Sequence, residues 1–198
     1  MRRSVLLILT TGFEEIEAVV PTDLMRRAGI AVTIASREAT LYVRGRSELM
    51  LQADVLLDAA IKEGVNYDGL LLPGGPGTEN LRQDTRVQQL VRQQAATGRL
   101  VAAICAAPLV LKDLGLLYGR RYTSHFSTAE ALPERVTDSD VVLDGNLLTA
   151  SGPGAAIAFG LAIIKELLDG SSCEKVAAAI DYPVAGAGSP QDLIKQDP

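Results

Sequence analysis

The chain predicts an α/β fold, a doubly wound and mostly parallel sheet sandwiched by helices, and three observations lead to that expectation. Residues 4–10, 69–72 and 100–104 are short apolar runs with no polar alternation, the pattern of strands buried on both faces of a parallel sheet. Longer segments with apolar residues near helical spacing separate them. Strand candidates and helix candidates alternate along most of the chain, with glycine- and proline-bearing loops at their junctions.

Taken in order, residues 4–10 (S-V-L-L-I-L-T) form the first buried strand and residues 11–13 the turn out of it. Residues 14–28 place Ile16, Val19, Val20, Leu24, Met25 and Ala28 close to helical spacing, with Gly29 at the C-terminal cap and Pro21 predicting a kink or restart. Residues 30–36 are the second strand and complete a βαβ unit. Residues 41–43 and 48–51 suit short antiparallel strands of a flap, and residues 58–62 a helical turn. The third strand, 69–72, runs into Pro73-Gly74-Gly75-Pro76-Gly77, whose glycines permit close backbone approach. Asp84 caps a helix that carries Val87, Leu90 and Val91 and stops near Gly98.

Residues 100–104 then form the fourth strand, and Pro108 opens a helix that ends near Gly115, since proline fits a first turn where its missing N–H is not needed. Residues 121–123 are a short strand candidate leading to His125. Residues 141–143 and 147–150 read as a β-hairpin around Asp144, Gly145 and Asn146. A turn at 151–154 leads into a helix over 155–168. Ser171 and Glu174 have the spacing of a capping box for a last helix through Ile180, and the residues beyond Pro183 suit a loosely held tail.

Composition narrows the functional classes. A chain of 198 residues that is 47% hydrophobic and 22% charged suits one domain with a substantial core. The net charge of −5 and scattered basic residues argue against a nucleic-acid-binding face. No apolar run approaches the roughly 18–20 residues that span a bilayer. Met1-Arg2-Arg3 leads straight into a segment too short for a signal peptide, so a cytoplasmic location is expected. The two cysteines, Cys105 and Cys173, show no metal-type Cys/His spacing, so neither a disulfide scaffold nor a metal site is implied.

The chemistry is expected at Cys105. It follows the fourth strand and precedes the Pro108 helix, where unpaired amides and the helix dipole favour a negative charge and lower a thiol toward thiolate. Ligand crevices of open α/β sheets also lie at the carboxyl ends of strands. The alternative is that Cys105 is one more small buried apolar residue. If strands one, three and four are parallel neighbours, the loops 11–17, 74–75 and 105–107 meet in one crevice. Glu17, early in its helix, can then reach across toward Cys105 and titrate with it as a coupled pair. Otherwise Glu14, Glu15 and Glu17 are simply acids favoured near a helix N-terminus. The amides of Gly74, Gly75 and Ala106 are candidate donors to an oxyanion. His125 is either a proton shuttle or an ordinary surface histidine. Cys173 reads as structural. Arg27 and Arg46 are candidate partners for an anionic substrate, with a solvated helix face explaining Arg27 equally well.

Five segments, in this order, resemble the DJ-1/ThiJ/PfpI superfamily and its DJ-1-like branch. They are Gly12-Phe13-Glu14-Glu15-Ile16-Glu17, Met25-Arg26-Arg27-Ala28-Gly29-Ile30, Leu72-Pro73-Gly74-Gly75, Ala102-Ala103-Ile104-Cys105-Ala106-Ala107-Pro108 and Thr149-Ala150-Ser151-Gly152-Pro153-Gly154. Together they extend over about residues 4–182. The resemblance implies a flavodoxin-like single domain over residues 1–184 followed by a loose tail at 185–198, and a homodimer. It makes Cys105 the reactive cysteine, Glu17 its protonated acid partner and His125 the histidine of the site. It also implies cofactor-free, glutathione-independent glyoxalase activity on a small 2-oxoaldehyde, methylglyoxal to lactate, and deglycation of early aldehyde adducts. Residues 39–50 and the tail from 185 depart from the family pattern.

Two other functions fit the same thiol. One is a peroxide sensor or chaperone acting through oxidation of Cys105. The other is a glutaminase or protease, but such sites flank their cysteine with glycine where this chain has Ala103 and Ala107, and only Glu130 offers itself as an acid for His125.

Overall fold

A computed structural model describes residues 2–62, 64 and 66–183 of the chain; the expected tail at 185–198 and the expected domain boundary at 184 lie outside the described residues. The first unit is β1 (Ser4–Leu9), α1 (Glu15–Arg27) and β2 (Ala31–Ser36). A two-stranded flap follows, β3 (Tyr42–Arg44) and β4 (Met50–Gln52), then the short β5 (Val55–Leu56) and α2 (Leu57–Lys62). Next come β6 (Gly69–Leu72), α3 (Thr78–Gln83), α4 (Thr85–Ala96), β7 (Leu100–Ile104) and α5 (Pro108–Asp113). The chain then makes the hairpin β8 (Val141–Asp144) and β9 (Leu147–Ala150), and ends in α6 (Ala156–Leu167) and α7 (Gly170–Ala179).

Seven strands form the main sheet in the order β5-β2-β1-β6-β7-β9-β8. All neighbours are parallel except β8 and β9, so the fold is the expected doubly wound sheet, flavodoxin-like in strand order. Both faces are buried, which explains the unbroken apolar runs: Val5, Leu7 and Leu9 of β1 enter one core with α1, α6 and α7. Leu6 and Ile8 enter a second core with residues of α2, α4 and α5. Winding reverses between β1 and β6, so the loops after these strands open a crevice between them, and β7 brings its own end alongside.

Several local expectations are corrected. α1 runs through Pro21 without a restart. Its proline packs where Gly160 of α6 comes so close that an added Cβ would lie 3.0 Å from Pro21 Cα, so the packing of two helices holds the helix together. Ile16 and Val19 face outward, 48% and 45% exposed, because Glu15 and Glu17 occupy the inward positions. Residues 121–123 form no strand. Their amides bond instead to side chains, Arg121 N–H to Asp144 and Thr123 N–H to Thr149 Oγ1, so no ladder develops. The cap of α7 is Asp169, whose carboxylate accepts from Ser172 N at 2.7 Å, rather than a box built on Ser171. α3 and β5 have no counterpart in the sequence expectations.

Candidate active site

Cys105 occupies the single sharp step between β7 and α5. It has φ +65°, a left-handed backbone unusual for a residue with a Cβ and costing about 1–3 kcal/mol. The surrounding bonds hold it there. Its N–H donates to Ala150 O at 2.9 Å, continuing the pairing of β7 with β9, and its carbonyl accepts from His125 N at 2.9 Å. Ala107 N–H returns to Ile104 O at 3.0 Å, which closes the turn. The result is an elbow that carries a largely buried thiol, 8% exposed, at the carboxyl edge of the sheet.

Glu17 meets it from α1. The helix begins with Glu14 as its cap, whose Oε2 accepts from Glu17 N at 2.9 Å, and this fixes Glu17 in the first turn facing the crevice. Its side chain is fully buried. Oε2 accepts from Gly74 N at 2.7 Å, and Oε1 has no hydrogen-bond partner among the described residues. The approach is close: a Cβ on Gly74 would lie 2.8 Å from Cys105 Cβ and 2.9 Å from Glu17 Oε2, so only glycine fits between cysteine and acid. Gly75 has φ +92° and its added Cβ would meet Gly12 O at 2.5 Å, because the β1 and β6 loops are laced together. Glu14 N–H donates to Gly74 O at 3.0 Å and Gly77 N–H to Gly12 O at 3.0 Å.

The two titratable groups constrain one another. Burial, first of all, raises the Glu17 carboxyl from 4.5 to about 7; the bonds from Cys105 and Gly74 and the charge of Arg46 pull it down, while Glu14 pushes it up. Burial also pushes the Cys105 thiol up, and the charge and hydrogen bond of Glu17 push it further, against the amides of Gly75 and Ala106. The expectation of a thiol driven to thiolate by a helix dipole is therefore corrected. α5 is only six residues long, and desolvation beside an acid outweighs it. A second anion in this space is costly, so cysteine and acid retain one proton between them after the first is lost.

The expected oxyanion donors also divide. Gly74 N–H is committed to Glu17 and is not free for a ligand. The amides of Gly75 and Ala106 pull the Cys105 thiol down against its burial.

His125 is joined to Cys105 through the backbone. Its ring Nδ1 lies 2.8 Å from Ser127 Oγ and accepts from Ser127 N at 3.3 Å, so the ring is bonded to a serine and not to a carboxylate such as Glu130. Arg46 lies on the flap loop, whose backbone is fastened to the β1 loop: Gly12 N–H donates to Arg44 O and Arg46 N–H to Phe13 O, each at 2.8 Å. Its charge acts on Glu17. Arg27 sits at the far end of α1, paired with Asp23 at 2.8 Å, away from the crevice. Cys173 is buried on α7. Glu15, which the sequence offered only as one of three acids, fastens the flap: its Oε1 accepts from Ser47 N at 2.7 Å.

Residues 3–166 match the model of the DJ-1/PfpI family. The chain belongs to the DJ-1/PfpI family. Among DJ-1 proteins, the Parkinson disease protein 7 homolog of Danio rerio is 38% identical over 184 residues, with 90% of this chain and 95% of the relative covered. The glutathione-independent glyoxalase DJR-1.2 of Caenorhabditis elegans is 31% identical, with 84% of this chain and 89% of the relative covered. The crystal structure of Drosophila melanogaster DJ-1beta superposes with a TM-score of 0.88 at 36% identity, over 92% of this chain and all of the other. Toxoplasma gondii DJ-1, in an oxidised form, superposes with a TM-score of 0.86 at 34% identity, over 91% of this chain and 98% of the other. Cys105, Glu17 and Gly74 lie in contact where the loops after β1, β6 and β7 meet. Among the described residues no group of three or more His, Cys, Asp or Glu side chains is arranged to hold a metal ion, and no helix is long and apolar enough to cross a membrane.

Proposed function

We propose that this DJ-1/PfpI protein is a glutathione-independent glyoxalase, acting without a cofactor on a small 2-oxoaldehyde such as methylglyoxal. The observation that carries the reading is the buried Glu17 carboxyl set against the buried Cys105 thiol across Gly74, on a left-handed elbow. The similarity to a relative named as a glutathione-independent glyoxalase supports it.

In the first step Sγ attacks the aldehyde carbon while the Glu17 carboxylate accepts the thiol proton, so the negative charge passes from the carboxylate to the substrate oxygen and no second anion forms in the site. The Gly75 and Ala106 amides, which pull the thiol down against burial, are the donors for the new oxyanion. That oxyanion takes up a proton, giving a hemithioacetal. A proton then leaves the former aldehyde carbon and is returned to the neighbouring carbon through an enediol, with Glu17 and His125 as carriers. The product is a 2-hydroxyacyl thioester on Cys105. Water cleaves it, releasing lactate from methylglyoxal and restoring the thiol. A positioned proton carrier is worth about 10²–10⁴ in rate. A hemiaminal that breaks its C–N bond to release the amine regenerates the free aldehyde, and the same attack on that aldehyde gives deglycation.

The working unit of this reading is a homodimer in the cytoplasm. Ile16, Val19, Tyr42, Leu49 and Met50 are large apolar side chains left exposed on α1 and the flap, a surface suited to a second copy.

Lactate formation from methylglyoxal without glutathione tests the assignment, with native protein, Cys105→Ser and Glu17→Gln compared after each is shown to fold. Turnover is expected to vanish in Cys105→Ser and to fall by about 10²–10⁴ in Glu17→Gln. Absence of turnover by freshly reduced native protein contradicts the glyoxalase reading and transfers the site to the second one, oxidation sensing. There the Gly75 and Ala106 amides and Glu17 would hold a sulfinate on Cys105, and a relative of known structure is described as oxidised.

A further inference from the structure

We propose that Ser127 is a positioning residue that holds the His125 imidazole in its Nε2–H form, so that the ring meets the substrate as a hydrogen-bond donor. This inference rests on the role given to His125 above.

The sequence places Ser127 two residues after the only histidine in the chain. The structure turns this spacing into a clamp. Residues Phe126–Thr128 form a single 3₁₀ turn, and the His125 ring folds back over it as its cap. Ser127 offers two groups to Nδ1, its hydroxyl at 2.8 Å and its backbone N–H at 3.3 Å. A backbone N–H can only donate, so Nδ1 is the acceptor, and in the neutral ring the remaining proton belongs to Nε2. Nε2 makes no hydrogen bond among the described residues. Phe126 lies beside the ring with centroids 4.1 Å apart, and an added Cβ on Gly152 would lie 3.1 Å from Cδ2.

A purely structural role for the serine does not account for its hydroxyl. The turn already has its backbone bonds, Thr128 N–H to His125 O at 3.0 Å and Ala129 N–H to Phe126 O at 3.1 Å. Thr128 Oγ1 adds a bond to His125 O at 2.7 Å and also meets Ser124 Oγ at 2.8 Å. Ser127 Oγ contributes nothing to that frame, and its one bond is to the imidazole. In trypsin-like triads a carboxylate holds Nδ1 protonated and leaves Nε2 as a base. A serine and an amide that donate to Nδ1 produce the opposite polarity, a neutral hydrogen-bond donor at Nε2. The division of labour follows: Glu17 accepts protons and the Nε2–H of His125 hydrogen-bonds the substrate oxygen.

Because the chain has one histidine, imidazole nitrogen resonances of the isotope-labelled full-length protein need no assignment. The neutral native ring is expected to show a protonated Nε2 and an unprotonated Nδ1, and Ser127→Ala to gain the Nδ1–H form. In the lactate assay Ser127→Ala is expected to lower kcat about 10-fold with KM unchanged, and Ser127→Thr to restore it. A native ring protonated at Nδ1 overturns the proposal, as does a Ser127→Ala protein with native kcat and native tautomer ratio. If the native protein makes no lactate at all, the glyoxalase reading falls and the nitrogen spectra alone decide whether Ser127 holds the ring.

Discussion

At the residue scale the site holds two buried titratable groups, Cys105 and Glu17, whose pKa values are both raised. Glu17 is a carboxyl whose burial holds its pKa near 7 against an ordinary 4.5. Between those values the folded chain holds a proton that the unfolded chain has released, so folding stability falls as pH rises through the interval. The acids whose pKa values are lowered, Glu38, Asp68, Asp84 and Asp169, act in the opposite sense and lose their contribution only as pH falls through their own lower values. Urea midpoints across the interval are therefore expected to decline in the native protein by an amount on the order of 1–3 kcal/mol, and to stay flat in Glu17→Gln, whose amide oxygen can still accept from Gly74. An equal slope in both proteins contradicts the buried-acid account. Sequence made Cys105 and Glu17 legible because a residue type at a strand end or in a first helical turn is a local fact. It could not show that the helix dipole at Cys105 would lose to burial, since burial depends on Gly74 letting three loops come within contact. Nor did it show the left-handed backbone of Cys105, because glycine is the usual signal for that geometry and this elbow has none.

At the scale of elements, α1 is the part that aims the acid, and α6 is what holds α1. The helices meet at Gly160, where an added Cβ would lie 2.8 Å from Leu24 Cδ1 and 3.0 Å from Pro21 Cα. A leucine tip can move, but the proline backbone can do so only by shifting α1. Gly160→Ala is expected to cost about 1–3 kcal/mol in urea unfolding and to lower lactate turnover through the displaced Glu17. Native stability together with native turnover contradicts this coupling. The main elements were readable from apolar periodicity, and the errors have specific causes. Ile16 and Val19 have the spacing of a core face, but the crevice takes Glu15 and Glu17 inward and rotates those apolar residues to the surface. Residues 121–123 have β-forming composition, yet Asp144 and Thr149 side chains take up their amides. Ser171 and Glu174 have the right spacing for a cap, but Asp169 is nearer and accepts first.

At the scale of the whole molecule, the winding reversal between β1 and β6 places the crevice, and β7 brings Cys105 to it from the adjoining strand. The flap formed by β3 and β4 is tied to this centre by the backbone bonds of Gly12 and Arg46 and by Glu15. Its exposed Tyr42, Leu49 and Met50 thus connect the outer surface with the crevice. Covering that surface with a second copy would steady the flap and Arg46 together. Val19→Asp is expected to convert a dimer into a monomer in sedimentation velocity; a native protein that sediments as a monomer contradicts the dimer.

The covalent role of Cys105 is tested most directly by acid-quenching native protein during turnover of methylglyoxal and mapping adducts by peptide mass spectrometry. The account predicts a substrate-mass adduct on the Cys105 peptide that forms within one turnover and disappears when substrate is exhausted, and none on Cys173. Turnover with no adduct at Cys105, or turnover that persists in Cys105→Ser, would contradict it.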